Sequence, residues 1–343
     1  MTNNSTKFLL LTTLMSGVLI SISSNSWLGA WIGLEINLLS FIPLMSTNKN
    51  MYTTEASMKY FIVQALASST LLFLIISKSM IEELYMMSSN NNYLMSMIIS
   101  TPLLLKSGAA PFHWWFPSIM EGLSWNNCFI LMTIQKIAPL MLISYSLKMN
   151  VFMWTIIMMS VIVGSIGGLN QISIRKILTY SSINHMGWML AAMNIGENLW
   201  ITYFLIYSML VLTIVMIVNS HQTSFINQTF LMSNEMSTMK FLMFTTLLSL
   251  GGLPPFLGFL PKWIIIQQMI INDMNFIISL MVITSLMTLY YYLRMCYASF
   301  TILYNEPKWN IQFHNNKIIP MMMILTSISM LGLILCTLVI NIF

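Results

Sequence analysis

Glu35, Lys106, Lys136 and Lys262 each stand inside a long apolar stretch: Glu35 in WLGAWIGLEINLLSFIPL, Lys106 in LLLKSGAAPFHWWFP, Lys136 in CFILMTIQKIAPLML, Lys262 in LGGLPPFLGFLPKW. The chemistry open to such a set is proton transfer. Lysines withdrawn from water can exchange protons within the working range of a cell. A carboxylate about 7 Å away, at an effective dielectric of ~20, interacts with an ammonium by ~2.4 kcal/mol. Moving Glu35 toward or away from Lys106 would therefore load or unload a proton, the groups titrating as a coupled set. Two histidines accompany them. His113 follows Lys106 in the same segment and reads equally as relay or packing. His185, in RKILTYSSINHMGWML, has Thr179, Ser181 and Ser182 within two turns. An imidazole can take a proton on one ring nitrogen and release it from the other, and relay is favoured here over a hydrogen-bonded structural histidine.

What makes these charges exceptional is their solvent. The 343-residue chain is 57% hydrophobic and only 7% charged, whereas a soluble domain carries about 25% charged residues. Most of the chain must be solvated by lipid. The net charge of +5 is then a matter of topology, and with no basic patch on a polar domain a nucleic-acid partner is excluded. Cys128, Cys296 and Cys336 lie far apart in apolar runs and offer no disulfide, metal or iron–sulfur spacing. The 35 methionines are spread along the whole chain and read as replacements for leucine.

Helical crossings of ~30 Å of hydrocarbon need about 20 residues. Eleven are read, at 8–24, 26–45, 56–78, 94–118, 127–147, 151–169, 174–194, 199–219, 240–271, 275–303 and 318–341. The first run has no small-residue cleavage site, so it reads as a span and not a signal peptide. Open strands cannot leave backbone groups unpaired in lipid. The expected fold is all-α, a polytopic membrane helix bundle of one domain, 1–343. Eleven crossings place the termini on opposite faces. Lys7, Lys49, Lys59, Arg175, Lys176, Lys240, Arg294, Lys308 and Lys317 then fall on the N-terminal face, against Lys78 and Lys148 on the other. The acids divide evenly, Glu55, Glu121, Glu235 and Glu306 against Glu82, Glu83, Glu197 and Asp273. Basic bias without acidic bias is the positive-inside pattern, which puts the N-terminus on the cytoplasmic or matrix side.

Glu35, Lys106, Lys136 and Lys262 are what this assignment leaves over. Glu35 and Lys136 lie roughly ten residues from the ends of their spans, about 15 Å deep by helix rise. A charge there costs ~2.5–3.5 kcal/mol or more. A structural ion pair with Glu35 would still leave two lysines without a carboxylate, and a lysine stem cannot reach the surface from mid-depth. A functional charge pathway is therefore preferred. Pro111 and the glycine at 108 interrupt the helix just after Lys106, and LGGLPPFLGFLPKW interrupts a second one. GAAPFHWWFP (108–117) and GLPPFLGFLP (252–261) share Gly, Pro, Phe and Pro at one spacing, 144 residues apart, in the fourth and ninth spans. An odd number of crossings inverts the second copy, giving inverted repeats of roughly 8–147 and 151–303 with 318–341 as a last span. Paired broken helices of this kind mark ion sites at the membrane midplane.

NSWLGAWIGLEINLLSFIPL, TEASMKYFIVQALAS, LLLKSGAAPFHWWFP, QKIAPL, RKILTYSSINHMGW and SLGGLPPFLGFLPKW together resemble the subunit 2 family of the NADH dehydrogenase of mitochondrial respiratory complex I, in its animal, insect-like form. The resemblance covers nearly the whole chain and implies an antiporter-like bundle with two inverted five-helix repeats, shortened by three spans at the N-terminus relative to bacterial relatives. Its proton-path residues fall on Glu35, Lys106, Lys136 and Lys262. It implies proton pumping driven by NADH oxidation by ubiquinone, in the mitochondrial inner membrane with the N-terminus on the matrix side and the C-terminus toward the intermembrane space. Partners would be other membrane-arm subunits, neighbouring antiporter-like ones included, and lipids. No cofactor is expected in this chain; NADH, flavin, iron–sulfur clusters and ubiquinone would belong to other subunits. A stand-alone cation/proton antiporter is the alternative that the mid-membrane charges alone would also fit.

Overall fold

The computed structural model describes residues 4–46, 50–84, 92–146, 151–230, 237–297 and 318–332. Lys49, Lys148, Lys308, Lys317, Glu235, Glu306 and Cys336 lie outside the described residues, as do the ends of the spans expected to reach 147, 303 and 341. Contacts divide the chain into two units, Met1–Ile156 and Ile157–Phe343.

Unit 1 runs α1 (Asn4–Ser23), α2 (Trp27–Met45), α3 (Met51–Leu84), α4 (Asn92–Ser107), α5 (Trp115–Gly122), α6 (Trp125–Met132) and α7 (Ile134–Ser146). α1 and α2 meet backbone to backbone, because a Cβ on Gly33 would stand 2.5 Å from the Ser21 nitrogen. α4 packs on α3 and α7. Asn127 Nδ2 donates to the Leu44 carbonyl (2.9 Å), tying the start of α6 to the end of α2. The span expected at 127–147 is not one continuous helix. α6 and α7 part at Thr133, whose hydroxyl donates to the Phe129 carbonyl (2.7 Å). Pro139, one turn on, has no N–H to give the Gln135 carbonyl, which loosens the ladder around Lys136.

Unit 2 takes in most of α8 (Val151–Gly168), then α9 (Ile174–Ile195), α10 (Glu197–His221), α11 (Ile226–Phe230), α12 (Ser237–Gly251), α13 (Phe259–Ile271), α14 (Asn275–Tyr297) and α15 (Ile318–Met330). α9 packs on α10 and α13, and α12 on α10 and α14. Arg294 Nη2 donates to the Gln171 carbonyl (3.2 Å), and Ser173 pairs with Phe225. The basic residues Arg175, Lys176 and Arg294 thereby share one end of this unit.

Among the described residues, seven helical stretches are long and apolar enough to cross a membrane, one of them α6 and α7 taken together. α9 has the length but is too polar to join them, and α4–α5 and α12–α13 are interrupted at Gly108 and Gly252. Phe8, Leu19, Phe73, Leu205 and Phe276 are all more than half exposed, which suits an apolar environment of lipid or partner helices and not water. Helical hydroxyls satisfy themselves: Thr12, Ser100, Thr213 and Ser285 donate to the carbonyl three residues back. Among the described residues, regular structure is helical.

Candidate functional site

The break after α4 is made by Gly108, whose φ of 75° suits glycine. Gly108 N–H donates to the Leu104 carbonyl (3.0 Å) and Ala109 N–H to the same oxygen (3.2 Å), a left-handed helix cap. Two later carbonyls are met by side chains. Trp115 Nε1 donates to Leu105 O (3.1 Å), and Gln64 Nε2 makes a long contact of 3.5 Å with Lys106 O. The Lys106 side chain is buried, and among the described residues no protein atom accepts from its Nζ. Glu35, half-buried on α2, lies within electrostatic reach of it without forming an ion pair.

Lys136 is more deeply placed, 2% exposed, with its Nζ 4.9 Å from the centre of the Phe116 ring. A ring face is a favourable neighbour for a desolvated cation. Lys106 and Lys136 line one cavity with Asn37, Tyr60, Gln64 and Gln135. About 20 Å³ of it admits the centre of a water molecule, room for one or two waters by the usual measure. Across it runs a hydrogen-bond chain: the Tyr60 hydroxyl donates to Gln135 Oε1 (3.1 Å), and Gln135 Nε2 donates to Asn37 Oδ1 (2.9 Å). His113 does not line this cavity; its Nδ1 lies 3.2 Å from the Pro111 carbonyl and its ring stacks on Trp114.

The second break repeats the first. Gly252 has a φ of 80°, its N–H reaches Leu248 O (3.1 Å), and Leu253 N–H reaches the same oxygen (3.4 Å). These are the bonds of Gly108 and Ala109, displaced by 144 residues. Lys262 sits on the far side of its break and turns back, Nζ donating to the Gly251 carbonyl (3.0 Å) and lying 5.8 Å from the Trp188 ring centre. His185, also buried, shares a hydrogen bond of 2.8 Å between its Nδ1 and the Tyr203 hydroxyl. Its ring lies 5.0 Å from that of Tyr207, whose hydroxyl is beside Ser182, while Ser181 is beside Tyr292.

Of the residues singled out from the sequence, Lys106 and Lys136 share a cavity, Glu35 acts on Lys106, and Lys262 and His185 lie in unit 2. Asn37, Tyr60, Gln64 and Gln135 escaped the sequence reading. The signal was there, since Asn37 is two residues from Glu35 and Gln135 adjoins Lys136, but a search for charge passes over neutral amides.

Residues 24–288 match the family model described as NADH:quinone oxidoreductase/Mrp antiporter, TM, and residues 289–340 match that of the NADH dehydrogenase subunit 2 C-terminus. The chain is 58% identical to NADH-ubiquinone oxidoreductase chain 2 of Aedes aegypti over 328 residues, 95% of each chain. It is 49% identical to that of Locusta migratoria over 337 residues, 98% of this chain and 97% of the relative. The chain belongs to the NADH-ubiquinone oxidoreductase chain 2 family. In fold, the family member described here is similar to a chain of respiratory complex I from Thermus thermophilus, with a TM-score of 0.81 at 21% identity over 97% of this chain and 79% of that one. It is also similar to a chain of the Mrp complex from Dietzia, with a TM-score of 0.73 at 18% identity over 87% and 60% of the two chains.

Proposed function

We propose that this chain carries protons across the mitochondrial inner membrane as an antiporter-like subunit of complex I, driven by NADH oxidation by ubiquinone in other subunits. The observation that supports it most directly is the pair Lys106 and Lys136, both buried yet lining one cavity with room for water. The break beside Lys106 opens backbone at a depth where it persists only against protein or water. Glu35 supplies the variable charge: displacing it from Lys106 redistributes the proton within the coupled set. Lys136 receives the proton through the cavity. In unit 2, Lys262 and His185 take the corresponding roles, with Tyr203 fixing the imidazole. His113 is assigned to packing, given its bond to Pro111 and its stacking on Trp114. The inverted repeats are read at roughly 8–147 and 151–303, with 318–341 as a last span and the N-terminus in the matrix. Cofactors and the redox reaction belong to other subunits, and neighbouring antiporter-like subunits and lipid cover the apolar surface.

The test is Lys136→Met and Lys262→Met in the assembled complex, reconstituted into liposomes. Assembly and recovery should stay near native while proton pumping falls. Normal pumping in both variants would refute the reading, and cation exchange by the isolated chain would replace it with a stand-alone antiporter.

A further inference from the structure

We propose that Gln135, held by Tyr60 and Asn37, is a positioning residue for proton passage between Lys106 and Lys136, an inference that rests on the proton-carrying reading above. A glutamine amide neither gains nor loses a proton at neutral pH, so Gln135 is not itself a carrier. Its amide is tied at both ends, oxygen to Tyr60 at 3.1 Å and nitrogen to Asn37 at 2.9 Å. It cannot turn without breaking two hydrogen bonds, to a buried tyrosine and a buried asparagine. The Asn37 oxygen accepts from Gln135 and keeps one further lone pair, while the Asn37 NH₂ remains a donor. The wall of the shared cavity therefore has a set arrangement of donors and acceptors beside the two lysines.

Size makes that arrangement decisive. About 20 Å³ holds one or two waters, too few to average over orientations as bulk water does. With so few, the direction in which each points determines whether the path between the lysines is continuous. The same chain also joins the helices that carry the charges. Asn37 stands two residues from Glu35 on α2, Gln135 precedes Lys136 on α7, and Gln64, from the same helix as Tyr60, touches the Lys106 carbonyl. A shift of α2 that moves Glu35 therefore also pulls on the Gln135 amide, so the charge and the water path change together. A structural tie between helices would use the same bonds, and the test must separate the two.

The complex carrying Gln135→Met, which keeps the length and loses both bonds, is isolated and reconstituted beside the native complex and Lys136→Met. Tyr60→Phe, which deletes one hydroxyl, accompanies it should the methionine variant fail to assemble. The titratable groups that line the cavity with Gln135 are Tyr60 on α3, Lys106 on α4 and Lys136 on α7, with Glu35 on α2 acting on Lys106; the neighbouring helices also carry Lys7 on α1, Glu55 and Lys59 on α3, Glu121 on α5 and Cys128 on α6. Expected are about fivefold slower pumping per assembled complex for Tyr60→Phe, the size of one neutral hydrogen bond, a larger loss for Gln135→Met, which removes two, and a displaced pH profile in both. Pumping or a pH profile that stays native per assembled complex, with only the yield reduced, means a structural tie and overturns the proposal. If Lys136→Met abolishes pumping while the Gln135 and Tyr60 variants behave as native, only this proposal falls. If Lys136→Met pumps normally, the proton-carrying reading falls and takes this proposal with it.

Discussion

Alanine at Gly252 and alanine at Gly108 impose the same backbone penalty but should differ in proton pumping. Both glycines are left-handed, with φ of 80° and 75°, and an L-residue in that region costs about 1–2 kcal/mol. The surroundings differ. A Cβ on Gly108 would lie 3.4 Å from Trp115 Cζ2, an ordinary contact, whereas one on Gly252 would lie 3.0 Å from both Cδ and Nζ of Lys262. The lysine is the flexible partner, so it moves, and its 3.0 Å bond to the Gly251 carbonyl lengthens. A hydrogen bond from a charged group is worth about 1.5–3 kcal/mol; losing roughly half of it corresponds to about a three- to tenfold effect. Reconstituted complex with Gly252→Ala should pump about three- to tenfold more slowly per assembled complex. Gly108→Ala should pump close to native while losing a similar amount of thermal stability. Equal pumping in the two variants would refute the reasoning, because it would mean that the Lys262 contact with Gly251 does not matter.

Trp115→Phe removes the indole donor to the Leu105 carbonyl, which is then left with the shared Gly108 N–H at 3.2 Å, at a cost of about 0.5–1.5 kcal/mol. The complex should dissociate at a lower temperature on native gels, and an unchanged dissociation temperature would show that the carbonyl finds another donor. Gly33→Ala would bring a Cβ to 2.5 Å from Ser21 N and 2.8 Å from Gly17 O. These are backbone atoms that no side-chain rotation relieves, and overpacking of this kind costs about 1–3 kcal/mol. Less subunit should assemble, and full recovery of the variant would argue against the close α1–α2 contact.

The charged residues were legible because lipid makes charge rare: Glu35, Lys106, Lys136 and Lys262 remain once the membrane faces are assigned. The breaks at 108 and 252 were legible because glycine and proline announce them, and the repeated bonds at those positions match the repeated letters. The Thr133 break had no such marker, since threonine is ordinary in apolar helices and Pro139 lies a turn beyond it. Asn37, Gln64 and Gln135 carry no charge, and polar side chains that satisfy themselves locally, such as Ser100 and Thr213, surround them in the sequence. That three amides and a tyrosine converge on one cavity is a tertiary fact, written in helix packing and not in any single segment.

The two breaks treat their lysines differently, and under the proposed proton-carrying role the difference bears on how a proton would leave each. Lys106 precedes its glycine; the carbonyls nearby are met by Trp115 and Gln64, and the ammonium faces a cavity with Glu35 at a distance. Lys262 follows its glycine and is itself the donor to Gly251, at the end of α12 where the helix dipole is negative. On the proposed role, a proton leaving Lys106, in the last turn of α4, would break no hydrogen bond to a carbonyl there, and the position of Glu35 could govern its release. On the same reading, a proton leaving Lys262 would leave a neutral amine and a weaker bond at the Gly251 carbonyl, so release there would be tied to the geometry of the break itself. A motion that opens the α12–α13 junction would free one proton, and a motion of α2 the other. Two breaks with the same backbone bonds thus present different handles to whatever drives them.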